Sequence, residues 1–89
     1  MTVEEIIRET AALCRSFGAK EVILFGSRAK GTARERSDID IAVSGAEDFE
    51  DLMEKVEDLP TLYSVDLVNM DTCRNQLLLE DIRQYGREI

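Results

Sequence analysis

Histidine is absent from this 89-residue chain, and cysteine occurs only twice, at Cys14 and Cys73. With no Cys-x-x-Cys pair and no histidine to complete a ligand set, the sequence argues against a zinc site and against a disulfide framework. Cys14 falls within an apolar helical stripe, and both thiols read as inert. Long hydrophobic runs are also missing. No stretch of about 18 apolar residues occurs and the N-terminus is not charged-then-apolar, which argues against a membrane span and a secretory signal. The cytoplasm is the expected compartment. Positive charge is scarce: 11 Lys and Arg face 19 Asp and Glu, giving a net charge of −8. Such a surface repels phosphate backbones, so a sequence-independent grip on nucleic acid is not expected.

The length bounds what remains. A chain of this size buries about 60–65% of the surface its unfolded form exposes, enough for one domain over residues 1–89 but not for a second substrate-binding domain. No internal repeat, low-complexity tract or linker interrupts it.

Hydrophobic periodicity supplies the elements. Thr2 and Glu5 have capping-box spacing, and Val3, Ile6, Ile7, Leu13, Cys14 and Phe17 recur at helical intervals up to Gly18, predicting a helix over 3–17. The β-branched run after Lys20 predicts a largely buried strand over 21–25. Gly26–Ser37 is polar and basic, with a short helical turn expected from Ser27. A second strand is expected over 38–43 and a helix over 47–59, stopped by Pro60, the single proline. A third strand over 64–69 precedes a last helix capped by Asp71 or Thr72 and ended at Gly86.

The polar positions of this pattern carry chemistry. Gly26 and Ser27 follow the apolar run Val22-Ile23-Leu24-Phe25, and ten residues later Asp38 and Asp40 lead a second run. Glycine lets backbone approach a phosphate, and a serine at a helix start offers a hydroxyl beside free N–H groups. Arg28 or Lys30 would add charge. Arg28, Lys30, Arg34 and Arg36 form a cationic island in an acidic chain; Arg34 and Arg36 are given no catalytic role. Asp38 and Asp40, two apart on a strand, point to one face with Cα atoms about 6.5 Å apart. Such a pair can bracket divalent metals, and a pair of Mg²⁺ ions is what nucleotidyl transfer needs. Asp66 stands within an otherwise apolar strand, where a buried, unpaired carboxylate would be costly without a metal or strong partner. If the Gly-Ser turn and Asp38 serve one site, the first two strands pair antiparallel, while the helix between the second and third suits a parallel crossover.

Gly26-Ser27-Arg28-Ala29-Lys30-Gly31, Ser37-Asp38-Ile39-Asp40-Ile41-Ala42-Val43 and Val65-Asp66-Leu67-Val68 together resemble the minimal nucleotidyltransferase family of the polymerase-β-like superfold. The resemblance covers nearly the whole chain. It implies an α/β (α+β) fold, a small mixed three-stranded sheet with flanking helices. It further implies Mg²⁺-dependent transfer of a nucleoside monophosphate, AMP from ATP, with Asp38, Asp40 and Asp66 as catalytic metal ligands and Gly26, Ser27 and Arg28 on the triphosphate. Small members of this family are encoded beside a HEPN-domain protein, and in toxin–antitoxin pairs the transferase is the antitoxin that adenylylates a tyrosine of the HEPN toxin. Two other readings stay open: a non-catalytic antitoxin or scaffold for a HEPN partner, and a subunit of a small-molecule nucleotidyltransferase.

A partner is also suggested independently. Leu77-Leu78-Leu79, extended by Ile82 and Tyr85, spans an arc too wide for one buried stripe, so at least one of these leucines is expected at the surface.

Overall fold

The computed structural model describes residues 1–89 throughout. In chain order it contains α1 (Val3–Ser16), β1 (Glu21–Phe25), α2 (Ser27–Lys30), β2 (Ile39–Ser44), α3 (Phe49–Glu57), β3 (Val65–Asn69), α4 (Gln76–Tyr85) and β4 (Arg87–Glu88). The strands form one mixed sheet in the order β3-β2-β1-β4. As expected from the shared site, β1 and β2 run antiparallel, with Phe25 opposite Asp40, while β2 and β3 run parallel, with Asp40 opposite Asp66.

Alternation along the strands divides the core between two faces. Val22 and Leu24 of β1 and Ile39, Ile41 and Val43 of β2 pack with Ile6 and Cys14 of α1 and Leu52 and Val56 of α3. The opposite face carries Ile23, Phe25 and Ala42 against Ile82 of α4. Apolar side chains are thus needed on both faces of the central strands, which is why β1 and β2 read as near-continuous hydrophobic runs. Asp40 shares the α4 face with Ala42, and Asp66 shares it with Val68.

Local signals set several boundaries. The Thr2–Glu5 capping box forms, each side chain accepting from the other's backbone N–H, at 3.1 and 3.2 Å. Three details differ from expectation. The sheet has a fourth strand, β4, paired antiparallel to β1 through Ile23↔Glu88 and Leu24↔Arg87. Two exposed charged residues carry no strand periodicity; the long-range bond from Ile89 N–H to Val22 O (3.0 Å) secures that edge. Secondly, α4 is capped by Asn75, whose Oδ1 accepts from Leu78 N–H at 3.1 Å, and not by Asp71 or Thr72. Asp71 is engaged elsewhere, its carboxylate accepting from Gly45 N–H at 2.8 Å, and Thr72 N–H closes a turn on Asn69 O. Finally, Asp66 is exposed, because β3 is an edge strand. The burial argument for a compensating group therefore does not apply to it.

The wide apolar arc of α4 divides as expected. Ile82 is buried and Leu78 packs beside it, whereas Leu77 is 79% exposed and Tyr85 51%.

Candidate active site

Gly26 leaves β1 with φ 72° and ψ −156°, a backbone region essentially confined to glycine. Packing imposes a second requirement: a Cβ here would lie 3.2 Å from Asp40 Cγ and closer still to Oδ2. Because Phe25 is the cross-strand partner of Asp40, the residue after it must pass that carboxylate. The glycine turn and the aspartate pair are therefore one steric unit.

Ser27 opens α2. The Gly26 carbonyl accepts from Ala29 and Lys30 N–H at 3.2 and 3.1 Å, while the N–H groups of Ser27 and Arg28 find no acceptor within the protein. Two backbone donors thus remain unengaged, with the Ser27 hydroxyl, directly after the glycine that passes Asp40. The neighbouring cations are turned elsewhere. Lys30 pairs with Asp81 of α4 at 2.9 Å and lies 5.0 Å from the centroid of the Tyr85 ring. Arg28, expected on the triphosphate, donates from Nε and Nη2 to Ser37 O at 3.2 and 2.7 Å and from Nη2 to Glu35 O at 3.2 Å.

Asp38 precedes β2 and is exposed; Asp40 is half-buried within it. Parallel register puts Asp66 directly beside Asp40, on the same face. Burial, then the charges of Asp66 and Asp38, raise the Asp40 pKa above the ordinary aspartate value. Neither of the chain's ion pairs involves these three aspartates.

The donor set fits a divalent metal in its chemistry. Hard carboxylate oxygens repel one another with no cation beside them, and α2 supplies phosphate donors from the next strand end. The three side chains do not close on a common point, so the cluster is open, not a preformed cage. An open arrangement suits Mg²⁺, which is commonly held by one or two carboxylates together with substrate phosphates and water. Beside Asp38 a cleft of about 300 Å³ opens, walled by Glu35 and Arg36 on one side and Leu62, Tyr63 and Ser64 on the other. Sequence reasoning missed Tyr63. No motif marks it, and its ring enters the site only because the segment before β3 folds back against Arg28, 5.5 Å from the ring centroid.

Residues 9–89 match the sequence model of the Polymerase beta, Nucleotidyltransferase family, and the chain belongs to that family. Its mixed sheet and flanking helices are the nucleotidyltransferase fold, of the minimal type. No curated protein sequence matches the chain. Among solved structures, the crystal structure of a toxin–antitoxin with AMP-PNP contains a chain 28% identical, with a TM-score of 0.73; the match covers 92% of this chain and 70% of that one. A mutant of the toxin–antitoxin MntA-HpeT is similar at 26% identity and a TM-score of 0.71, with the same coverage. A candidate nucleotidyltransferase from Sulfolobus solfataricus, at 24% identity and a TM-score of 0.50, covering 94% of this chain and 72% of its own, is alike in fold alone.

Proposed function

We propose that residues 1–89 form one minimal nucleotidyltransferase domain that acts as the antitoxin of a toxin–antitoxin pair. In this reading it transfers AMP from ATP to a partner protein, a tyrosine of a HEPN toxin, in the cytoplasm. The observation that carries the reading is the meeting of Asp40 with both the Gly26 turn and Asp66. The similarity to a toxin–antitoxin structure with AMP-PNP supports an adenine nucleotide and a protein partner. No helix is long and apolar enough to cross a membrane.

Asp38, Asp40 and Asp66 would hold two Mg²⁺ ions, which would activate the attacking hydroxyl and neutralise the leaving pyrophosphate. The chain's own groups divide the remaining work. The N–H groups of Ser27 and Arg28 and the Ser27 hydroxyl bind triphosphate oxygens, and Gly26 keeps the approach free of side-chain atoms. This would orient the α-phosphorus towards the carboxylates, where the acceptor hydroxyl oxygen would form its new bond as the bond to the bridging oxygen breaks, the hydroxyl proton passing to a carboxylate or to water and pyrophosphate leaving. The cleft beside Asp38 leaves room for an incoming group. Exposed Leu77 and Tyr85 on α4 offer apolar surface to the same partner.

The test is incubation of the chain and its co-encoded partner with ATP labelled in the α-phosphate. Label should pass to the partner with wild type, be lost with Asp38→Asn or Asp40→Asn while the fold survives, and decline less with Ser27→Ala, whose backbone donors remain. Equal labelling by the aspartate variants rejects the mechanism. Toxin neutralisation without any labelling favours the contact-only antitoxin.

A further inference from the structure

The side chain of Arg28 runs from the phosphate turn to the backbone that leads to Asp38, where all its hydrogen bonds are made. Its guanidinium meets the Ser37 carbonyl twice, through Nε at 3.2 Å and Nη2 at 2.7 Å, and the Glu35 carbonyl once, at 3.2 Å. The ring of Tyr63 covers it at 5.5 Å, within cation–π range. We propose that the Arg28 side chain is a positioning group that fixes Asp38 by clamping the backbone leading to it, and that its guanidinium, unlike the Arg28 backbone N–H, is not a ligand of the triphosphate; this rests on Asp38 being a metal ligand.

Peptide planarity gives the physical basis. The Ser37 carbonyl belongs to the same rigid unit as the Asp38 N–H, so holding that oxygen orients the Asp38 Cα. Asp38 needs this help because it lies just outside β2. Ladder bonding begins one residue later, where Ile39 N–H donates to Ser64 O at 2.9 Å. Upstream, Ser37 N–H donates to Arg34 O at 3.0 Å and Arg34 N–H to Ser37 Oγ at 2.8 Å, closing a turn that Arg28 then pins.

The clamp also links the parts of the site. Arg28 belongs to α2, directly after Ser27; its carbonyl partners lead to Asp38; Tyr63 leads to Ser64 and so to β3 with Asp66. One planar fork therefore ties together the approaches to the phosphate donors and to the carboxylates on both strands. Lysine would keep the charge but has neither the fork to bridge two carbonyls nor the flat face to stack on Tyr63.

Electrostatics makes the test decisive, because positioning and simple charge predict opposite signs. Removing a cation near carboxylates should by itself tighten Mn²⁺ binding, whereas releasing a carboxylate should weaken it. Mn²⁺ titration without nucleotide, followed by electron paramagnetic resonance, should show Arg28→Ala and Arg28→Lys weakened about tenfold or more, as for the loss of an outer-sphere support. Tyr63→Leu should weaken binding in the same direction, and Tyr63→Phe, which keeps the ring, should not. In the metal-free protein, amide exchange at Arg34 and Ser37 should quicken in Arg28→Ala while exchange in β1 does not. Should Arg28→Ala fail to fold, Arg28→Lys and Tyr63→Leu carry both measurements.

Wild-type-like or tighter Mn²⁺ binding by the Arg28 variants overturns the proposal. A wild type that binds no Mn²⁺ rejects the metal reading instead. In that event the exchange measurement decides alone: faster exchange in Arg28→Ala keeps Arg28 as the clamp of this segment, and unchanged exchange removes it.

Discussion

Gly26→Ala tests whether the phosphate turn and the carboxylate site are sterically one unit. At φ 72° and ψ −156° any other residue carries backbone strain, about 1–3 kcal/mol in this region. The new methyl would also lie 3.2 Å from Asp40 Cγ and closer to Oδ2, so the carboxylate must turn aside. Taking about 2 kcal/mol, and about 4–8 °C per kcal/mol for a domain of this size, the melting temperature should fall by roughly 8–16 °C. Gly31→Ala is the control. Gly31 is left-handed at φ 74° and ψ 16°, with nothing within 4 Å of an added Cβ, so it should lose only the conformational part, about 1–2 kcal/mol. A double-mutant cycle isolates the steric part. In an Asp40→Ala background Gly26→Ala should become milder, while Gly31→Ala should add within about 0.3–0.5 kcal/mol. The assay is thermal and urea unfolding followed by circular dichroism. If Gly26→Ala costs the same with and without the Asp40 carboxylate, the steric coupling is refuted and the glycine answers to backbone conformation alone.

Other consequences are open to direct measurement. Because the folded-state pKa of Asp40 is raised by burial and by Asp66 and Asp38, its contribution favours the metal-free fold below the unfolded pKa and is lost as pH rises through the folded one. Asp40→Asn should therefore melt above wild type at neutral pH, with the gap closing in acid; a gap independent of pH contradicts the shift. Leu77→Glu should leave stability within about 0.5 kcal/mol yet weaken partner capture, whereas Ile82→Glu should unfold the domain; equal destabilisation by both would show that α4 offers no free apolar surface. Asn75→Ala should cost about 1 kcal/mol in urea unfolding, and Thr72→Ala, at the position expected to cap from spacing alone, should cost distinctly less; the reverse order would move the helix start.

The sequence by itself determined the central strands and three of the four helices to within a residue or two, and it singled out Gly26, Ser27, Asp38, Asp40 and Asp66 as the proposed site. These rest on short-range physics: apolar residues that must be buried on both faces of β1 and β2, the side-chain period of two that aligns Asp38 with Asp40, and the Thr2–Glu5 spacing that caps α1. Tertiary structure decided what depends on partners distant in the chain. Whether Asp66 is buried depends on β3 being the edge of the sheet. Two charged residues become β4 only because β1 has an open edge beside them. Asp71 does not cap α4 because its carboxylate is engaged by the N–H of Gly45, 26 residues before it, and the cap falls to Asn75. Arg28 illustrates the same limit at the site itself: a long side chain can reach in several directions, and its fork settles where two carbonyls and an aromatic face converge, an arrangement no local pattern encodes.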